Sequence, residues 1–174
     1  MINRAKTFLT VCVLLLSMAG CGYHMVGKAS ELPTYVHTIA IPAFVNQTQT
    51  YHIATNLTQA VVREFNSRTN YRIVSDPKSA DAVLYGTVMT TQLAPVTYDS
   101  QTGRASTALV TVSMKVRLVG RDGRVLYENQ NYIFRQQYQI SADVSSFFEE
   151  EGPAMDRLSR DFARTLVSNV LEAF

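Results

Sequence analysis

The chain has 174 residues, 47% of them hydrophobic and 17% charged, with 16 Lys and Arg set against 14 Asp and Glu. So even a balance argues against nucleic acid, whose partners present strongly basic surfaces. A single domain of about 150 residues buries roughly 68–70% of its unfolded surface, so it needs no disulfide or metal staples.

Arg4 and Lys6 open the chain, and an apolar run from Phe8 to Leu16 follows, broken only by Thr10. A charged start, a short apolar stretch and small residues before a cleavage point read as a secretory signal, too short to span a bilayer durably. Met18-Ala19-Gly20-Cys21 resembles the lipobox of bacterial lipoproteins, with Met18 where that motif usually carries Leu. The resemblance implies cleavage after Gly20 and diacylation of the Cys21 thiol. The expected organisation is therefore a signal peptide over 1–20, a lipidated tether over 21–34 and one domain over 35–174. Processing removes Arg4 and Lys6, which leaves 14 basic and 14 acidic residues. Cys12 leaves with the signal and Cys21 carries lipid, so no thiol remains for a disulfide or a metal. No later stretch approaches 18 consecutive apolar residues, and attachment to the membrane then rests on the lipid.

In chain order, a first strand is expected at about 36–44, where Ile39 and Ile41 face one way and Pro42 marks the end of regular pairing. Asn46-Gln47-Thr48-Gln49-Thr50 is a polar turn offering helix caps. Ile53, Leu57, Val61 and Phe65 recur every four residues, with Ala54 and Val62 widening the stripe, and predict a helix over 51–67. Asn56, Gln59, Arg63 and Asn66 make its polar side. A short strand over 71–75 ends at Asp76-Pro77.

A long strand follows over 82–97, with Gly86 marking a bulge or a close backbone approach. Asp99 to Ser106 forms a hairpin loop. The next strand, over 107–119, is the clearest, because Val110, Val112, Met114, Val116 and Leu118 alternate with Thr111, Ser113, Lys115 and Arg117. Asp122-Gly123 signals a two-residue hairpin turn. Simple pairing across it sets Arg117 against Glu128, a favourable pair, but Met114 against Asn131, a poor one for a buried face. A bulge near 128–131 would turn Tyr132 and Phe134 inward.

Gln139 to Glu151 is polar, and Gly152-Pro153 is expected to start the last helix, with Glu149–Glu151 at its positive end. Met155, Leu158, Phe162, Leu166, Val170 and Phe174 form its stripe, opposite Asp156, Arg160, Arg164 and Asn169. The resulting fold class is α+β: a two-layer sandwich whose mostly antiparallel sheet of about four strands carries two helices on one face.

Nothing nominates an enzyme. Gly-x-Ser-x-Gly is missing, and His24, His37 and His52 show no metal-ligand spacing. Asp76 and Asp81 bracket a loop and are read as backbone caps rather than a catalytic acid pair. No cofactor is implied.

Three further blocks bear on function: Cys21-Gly22-Tyr23-His24, Ile39-Ala40-Ile41-Pro42-Ala43-Phe44-Val45-Asn46-Gln47-Thr48 and Ala80-Asp81-Ala82-Val83-Leu84-Tyr85-Gly86. With the intervening amphipathic helix, the long hairpin and the terminal helix, their order resembles the LptE family of lipopolysaccharide-assembly lipoproteins. The resemblance implies an outer-membrane lipoprotein facing the periplasm. Such a protein is the plug and assembly partner of the LptD β-barrel and binds lipopolysaccharide itself. Lys115 and Arg117 on the polar sheet face, and Arg104 at a loop tip, then become candidate contacts for sugar phosphates. The plainer reading makes them surface cations, with Arg117 pairing Glu128. A lipid or small-ligand carrier without a barrel partner is the alternative, and it requires an apolar cavity.

Overall fold

The computed structural model describes residues 32–140 and 144–174, with the side chains of the last helix described from Gly152 onward. The signal sequence, Cys21 and most of the tether lie outside the described residues. The elements are β1 (Thr38–Ala40), β2 (Val45–Asn46), α1 (Ile53–Arg68), β3 (Arg72–Val74), β4 (Ala82–Tyr98), β5 (Ala105–Gly120), β6 (Val125–Gln139) and α2 (Val144–Glu172).

These strands form one six-stranded sheet in the order β3-β1-β4-β5-β6, with β2 also pairing β4. The class is α+β as expected, but the sheet has six strands rather than about four and is mixed: its three long strands, β4, β5 and β6, pair antiparallel, and its three short ones pair parallel. β1 runs parallel to both β3 and β4, and β2 runs parallel to β4. The expected strand over 36–44 is in fact two short pieces. The Ile41 amide makes the last bond to β3, donating to the Val74 carbonyl at 3.2 Å; Pro42 to Phe44 then leave the ladder, and pairing resumes at Val45 against Thr87. Proline lacks the amide that a continuous ladder requires.

The core gathers on the inner face of β4 and β5. The five apolar residues from Val110 to Leu118 are all at most 2% exposed, while the residues between them are half-buried. Their side chains join the α1 stripe (Ile53, Leu57, Val61, Phe65) and the α2 stripe (Leu158, Phe162, Leu166, Val170) in one core. Phe162 sits at its centre, edge-on to the rings of Phe44, Tyr132 and Phe134. Gly86 is a close-approach glycine. A Cβ there would fall 2.7 Å from the Phe44 ring, so only glycine lets that ring lie against β4 and reach Phe162. The register shifts of β4 fall instead between Val88 and Thr90 and again between Pro95 and Tyr98.

The β5–β6 register is as expected at its key points. Arg117 faces Glu128, and Val116 faces Asn129. A bulge then places two β6 residues, Gln130 and Asn131, opposite Lys115 and moves Tyr132 against Met114. Tyr132 is buried and Phe134 packs against the core, which replaces a buried amide with aromatic surface. The connecting turn is longer than two residues, because the strands end at Gly120 and resume at Val125. Gly123 carries the positive φ of 82°, and Asp122 Oδ1 accepts from the Arg124 amide.

Four local expectations are corrected. The α1 N-cap is His52, in a left-handed conformation and without a capping side-chain bond, because Asn46, Thr48 and Thr50 bond to one another instead. α2 begins at Val144 rather than at Gly152, so Glu149–Glu151 lie beyond its first turn and away from the N-terminal dipole. Pro153 sits inside it; its φ is helical, and it removes one hydrogen bond without stopping the helix. Phe174 lies past the helix end and is 43% exposed. Asn169 turns inward and donates to Tyr132 Oη at 2.8 Å. Tyr127 Oη completes this internal chain with Tyr132. Burial, with the Tyr127 hydroxyl beside it, holds the Tyr132 phenol well above its ordinary value.

Candidate functional site

Alternation along β5 divides the sheet into two chemically distinct faces. The inner one is filled by the helices. The outer one carries Lys115 and Arg117, two residues apart on one strand and hence about 6.5–7 Å apart along it. Tyr85 on β4 lies across from Arg117, Thr87 lies across from Lys115, and Glu128 on β6 faces Arg117 from the other side. Tyr85 is 47% exposed.

Both cations converge on one carboxylate oxygen. Glu128 Oε1 lies 3.5 Å from Arg117 Nε and 4.0 Å from Lys115 Nζ. Gln130 Nε2 donates to the same oxygen. The Arg117 Nε is buried yet lacks a hydrogen-bond partner, so its contact with Glu128 is electrostatic rather than directional. The cluster holds two positive charges against one negative, and its side chains are 34–42% exposed. It can accept an anion at this face.

Arg104 is not part of this cluster. It follows Gly103 at the tip of the β4–β5 hairpin, roughly 37 Å along β5 from Lys115. One phosphate group cannot touch both. Its amide meets Thr102 Oγ1, while its carbonyl accepts from the Asp99 amide.

Asp81 is a cap, as expected, and of wider reach than a local one. Its Oδ2 accepts from the amides of His37 and Thr38 and from the Thr38 hydroxyl at 2.7 Å. Arg121 Nη2 stands 3.7 Å from Oδ1. The Thr38 hydroxyl, then the His37 amide, hold this carboxyl below its ordinary value of 3.8. Asp76 accepts from the Lys78 amide in the same way. His37 and His52 are both exposed, and among the described residues no group of three His, Cys, Asp or Glu is placed to hold a metal.

A cavity of about 140 Å³ lies where β4, β5 and β6 meet α2 around Met155, lined by Thr91, Leu93, Val110, Tyr138 and Met155 among others. Pockets for sizeable ligands run to roughly 300–1,000 Å³. A second, more open hollow of about 400 Å³ is lined by Thr107, Gln137, Tyr138, Gln139 and Arg157, so neither one is the apolar cavity that a carrier requires. Among the described residues no helix is long and apolar enough to cross a membrane.

Sequence reasoning placed Lys115 and Arg117 on one sheet face and Arg117 opposite Glu128, because the Asp122-Gly123 turn supplied the register. It missed Tyr85, since the β4–β5 register passes through bulges that no residue pattern announces. It also missed that Glu128 serves Lys115 as well as Arg117.

Among curated protein sequences none matches this chain. Among solved structures, lipoprotein B from Nitrosomonas europaea aligns at 14% identity and a TM-score of 0.54, over 86% of this chain and 90% of that one. The rare lipoprotein B from Shewanella oneidensis aligns at 11% identity and a TM-score of 0.54, over 75% and 93%. A Xanthomonas campestris protein does so at 16% and 0.54, over 84% and 92%. These likenesses show a shared fold. The family model for LptE, described as lipopolysaccharide-assembly, matches residues 36–170. That match spans most of the chain, from just before β1 to the last turns of α2, and this protein therefore belongs to the LptE family.

Proposed function

We propose that this protein is an outer-membrane lipoprotein, anchored through Cys21 on the periplasmic side, that plugs and helps assemble an LptD β-barrel. In that role it binds lipopolysaccharide on the outer face of its sheet, with Lys115 and Arg117 meeting phosphate and Arg104 touching a separate part of the ligand. The observation that carries the reading is the family match over residues 36–170. The open sheet face agrees with it, since both helices cover the opposite side and leave two adjacent, half-exposed cations sharing one carboxylate. A phosphate gains most where two donors reach it together. The role needs no catalysis.

The test is affinity purification of the tagged full-length lipoprotein from detergent-solubilised membranes. A co-purifying β-barrel of the outer membrane supports the plug role, and a lipoprotein recovered alone would overturn it. Cys21→Ala should move the protein out of the membrane fraction unless the barrel itself retains it.

A further inference from the structure

The cation pair on the outer sheet face is already occupied from within. Glu128 Oε1 takes Arg117, Lys115 and Gln130 at once, yet satisfies neither cation fully. Its separations are 3.5 and 4.0 Å, and the Arg117 Nε keeps a buried, unused donor. Two positive charges balanced by one carboxylate leave the cluster short of one negative charge. We propose that Glu128 is a built-in competitor for this site, and that the ligand it yields to is a phosphate monoester, which enters by exchanging with the carboxylate.

Charge complementarity selects that ligand class. A phosphate monoester carries close to two negative charges above its second pKa of about 6, which matches the two cations once Glu128 swings away. A phosphodiester carries one charge and merely replaces like with like. Tyr85, half-exposed directly across from Arg117, offers a shelf for apolar substance attached to the phosphate. The inference rests on the reading that this face binds lipopolysaccharide, and it names the chemical group recognised there.

The test uses the full-length protein in neutral detergent at pH 8, titrated with octyl phosphate and with its methyl ester. Octyl phosphate should bind more tightly than the methyl ester, and Glu128→Gln should tighten octyl phosphate about two- to fivefold, the range expected for removing one exposed charge contact. Lys115→Gln with Arg117→Gln should weaken it, whereas Asp161→Asn, an exposed acid on α2, should leave it unchanged. Equal binding of the two probes, or an affinity untouched by Glu128→Gln, would overturn the exchange. Capture of whole lipopolysaccharide is measured in parallel. If the wild type captures lipopolysaccharide but fails these criteria, the exchange falls and the broader reading stands. If it captures none, the broader reading falls as well.

Discussion

The two faces of β5 share one backbone and differ in everything else. Val110 through Leu118 on the inner side are almost completely sealed beneath α1 and α2. Thr111 through Arg117, one residue out of step, stand half-exposed and end in an under-balanced charge cluster. Burial of apolar side chains is worth about 1.5–3 kcal/mol each, while exposed ion pairs contribute at most about 1 kcal/mol. The inner face should therefore decide whether the protein folds, and the outer face what it binds. Substitutions that separate these two effects test the division.

The largest expected loss is at the centre of the inner face. Phe162→Ala removes a fully buried ring in contact with three others and should cost about 3–5 kcal/mol. Arg160→Ala, on the exposed side of the same helix, should stay within about 0.5 kcal/mol. Denaturant melts compare them, and similar midpoints would mean that α2 does not pack through this stripe.

Gly86→Ala comes next. It forces a methyl group to within 2.7 Å of the Phe44 ring, and overpacking of that kind costs about 1–3 kcal/mol. Pairing it with Phe44→Leu should recover part of the loss, because the clash is with the aromatic ring itself. A wild-type melting curve for Gly86→Ala alone would show that the ring moves freely off β4.

A smaller effect belongs to Asp81, whose carboxylate ties β1 to the start of β4. Asp81→Asn should cost about 1–2 kcal/mol at neutral pH through weakened charge-assisted hydrogen bonds. The folded pKa lies below the ordinary 3.8, so the native state binds fewer protons than the unfolded chain as pH falls. The stabilisation is thus fully present above the ordinary value and is lost as pH drops through the folded one. Melts between pH 7 and pH 2.5 should show the variant losing less stability on acidification than the wild type. Parallel curves would remove Asp81 from the account.

Much of the inner face was legible in sequence, because apolar period translates directly into burial. The stripes of α1 and α2, the alternation of β5 and even the bulge that rescues Met114 from facing Asn131 follow from which side chains tolerate water. The parallel pairing of β1 and β2 was not legible. Three-residue and two-residue strands carry almost no periodic signal, and their partners are fixed by α1 carrying the chain across the sheet. Asn169 was misread for a related reason. A polar residue on a stripe boundary goes inward when a buried hydroxyl awaits it, and Tyr132 lies on another element. On the outer face, Lys115 and Arg117 were visible but Tyr85 was not, since cross-strand neighbours depend on register. Arg104 was equally visible, and the length of β5, already legible in its alternation, sets it far from the pair.

The division between faces stands or falls most directly on lipopolysaccharide capture by the double variant Lys115→Glu with Arg117→Glu. Capture is expected to fall roughly tenfold or more, since two exposed charge contacts are both lost and reversed, while the thermal melt stays near wild type and the proposed barrel partner is still recovered. Undiminished capture by a folded double variant would contradict it and move ligand binding off this face.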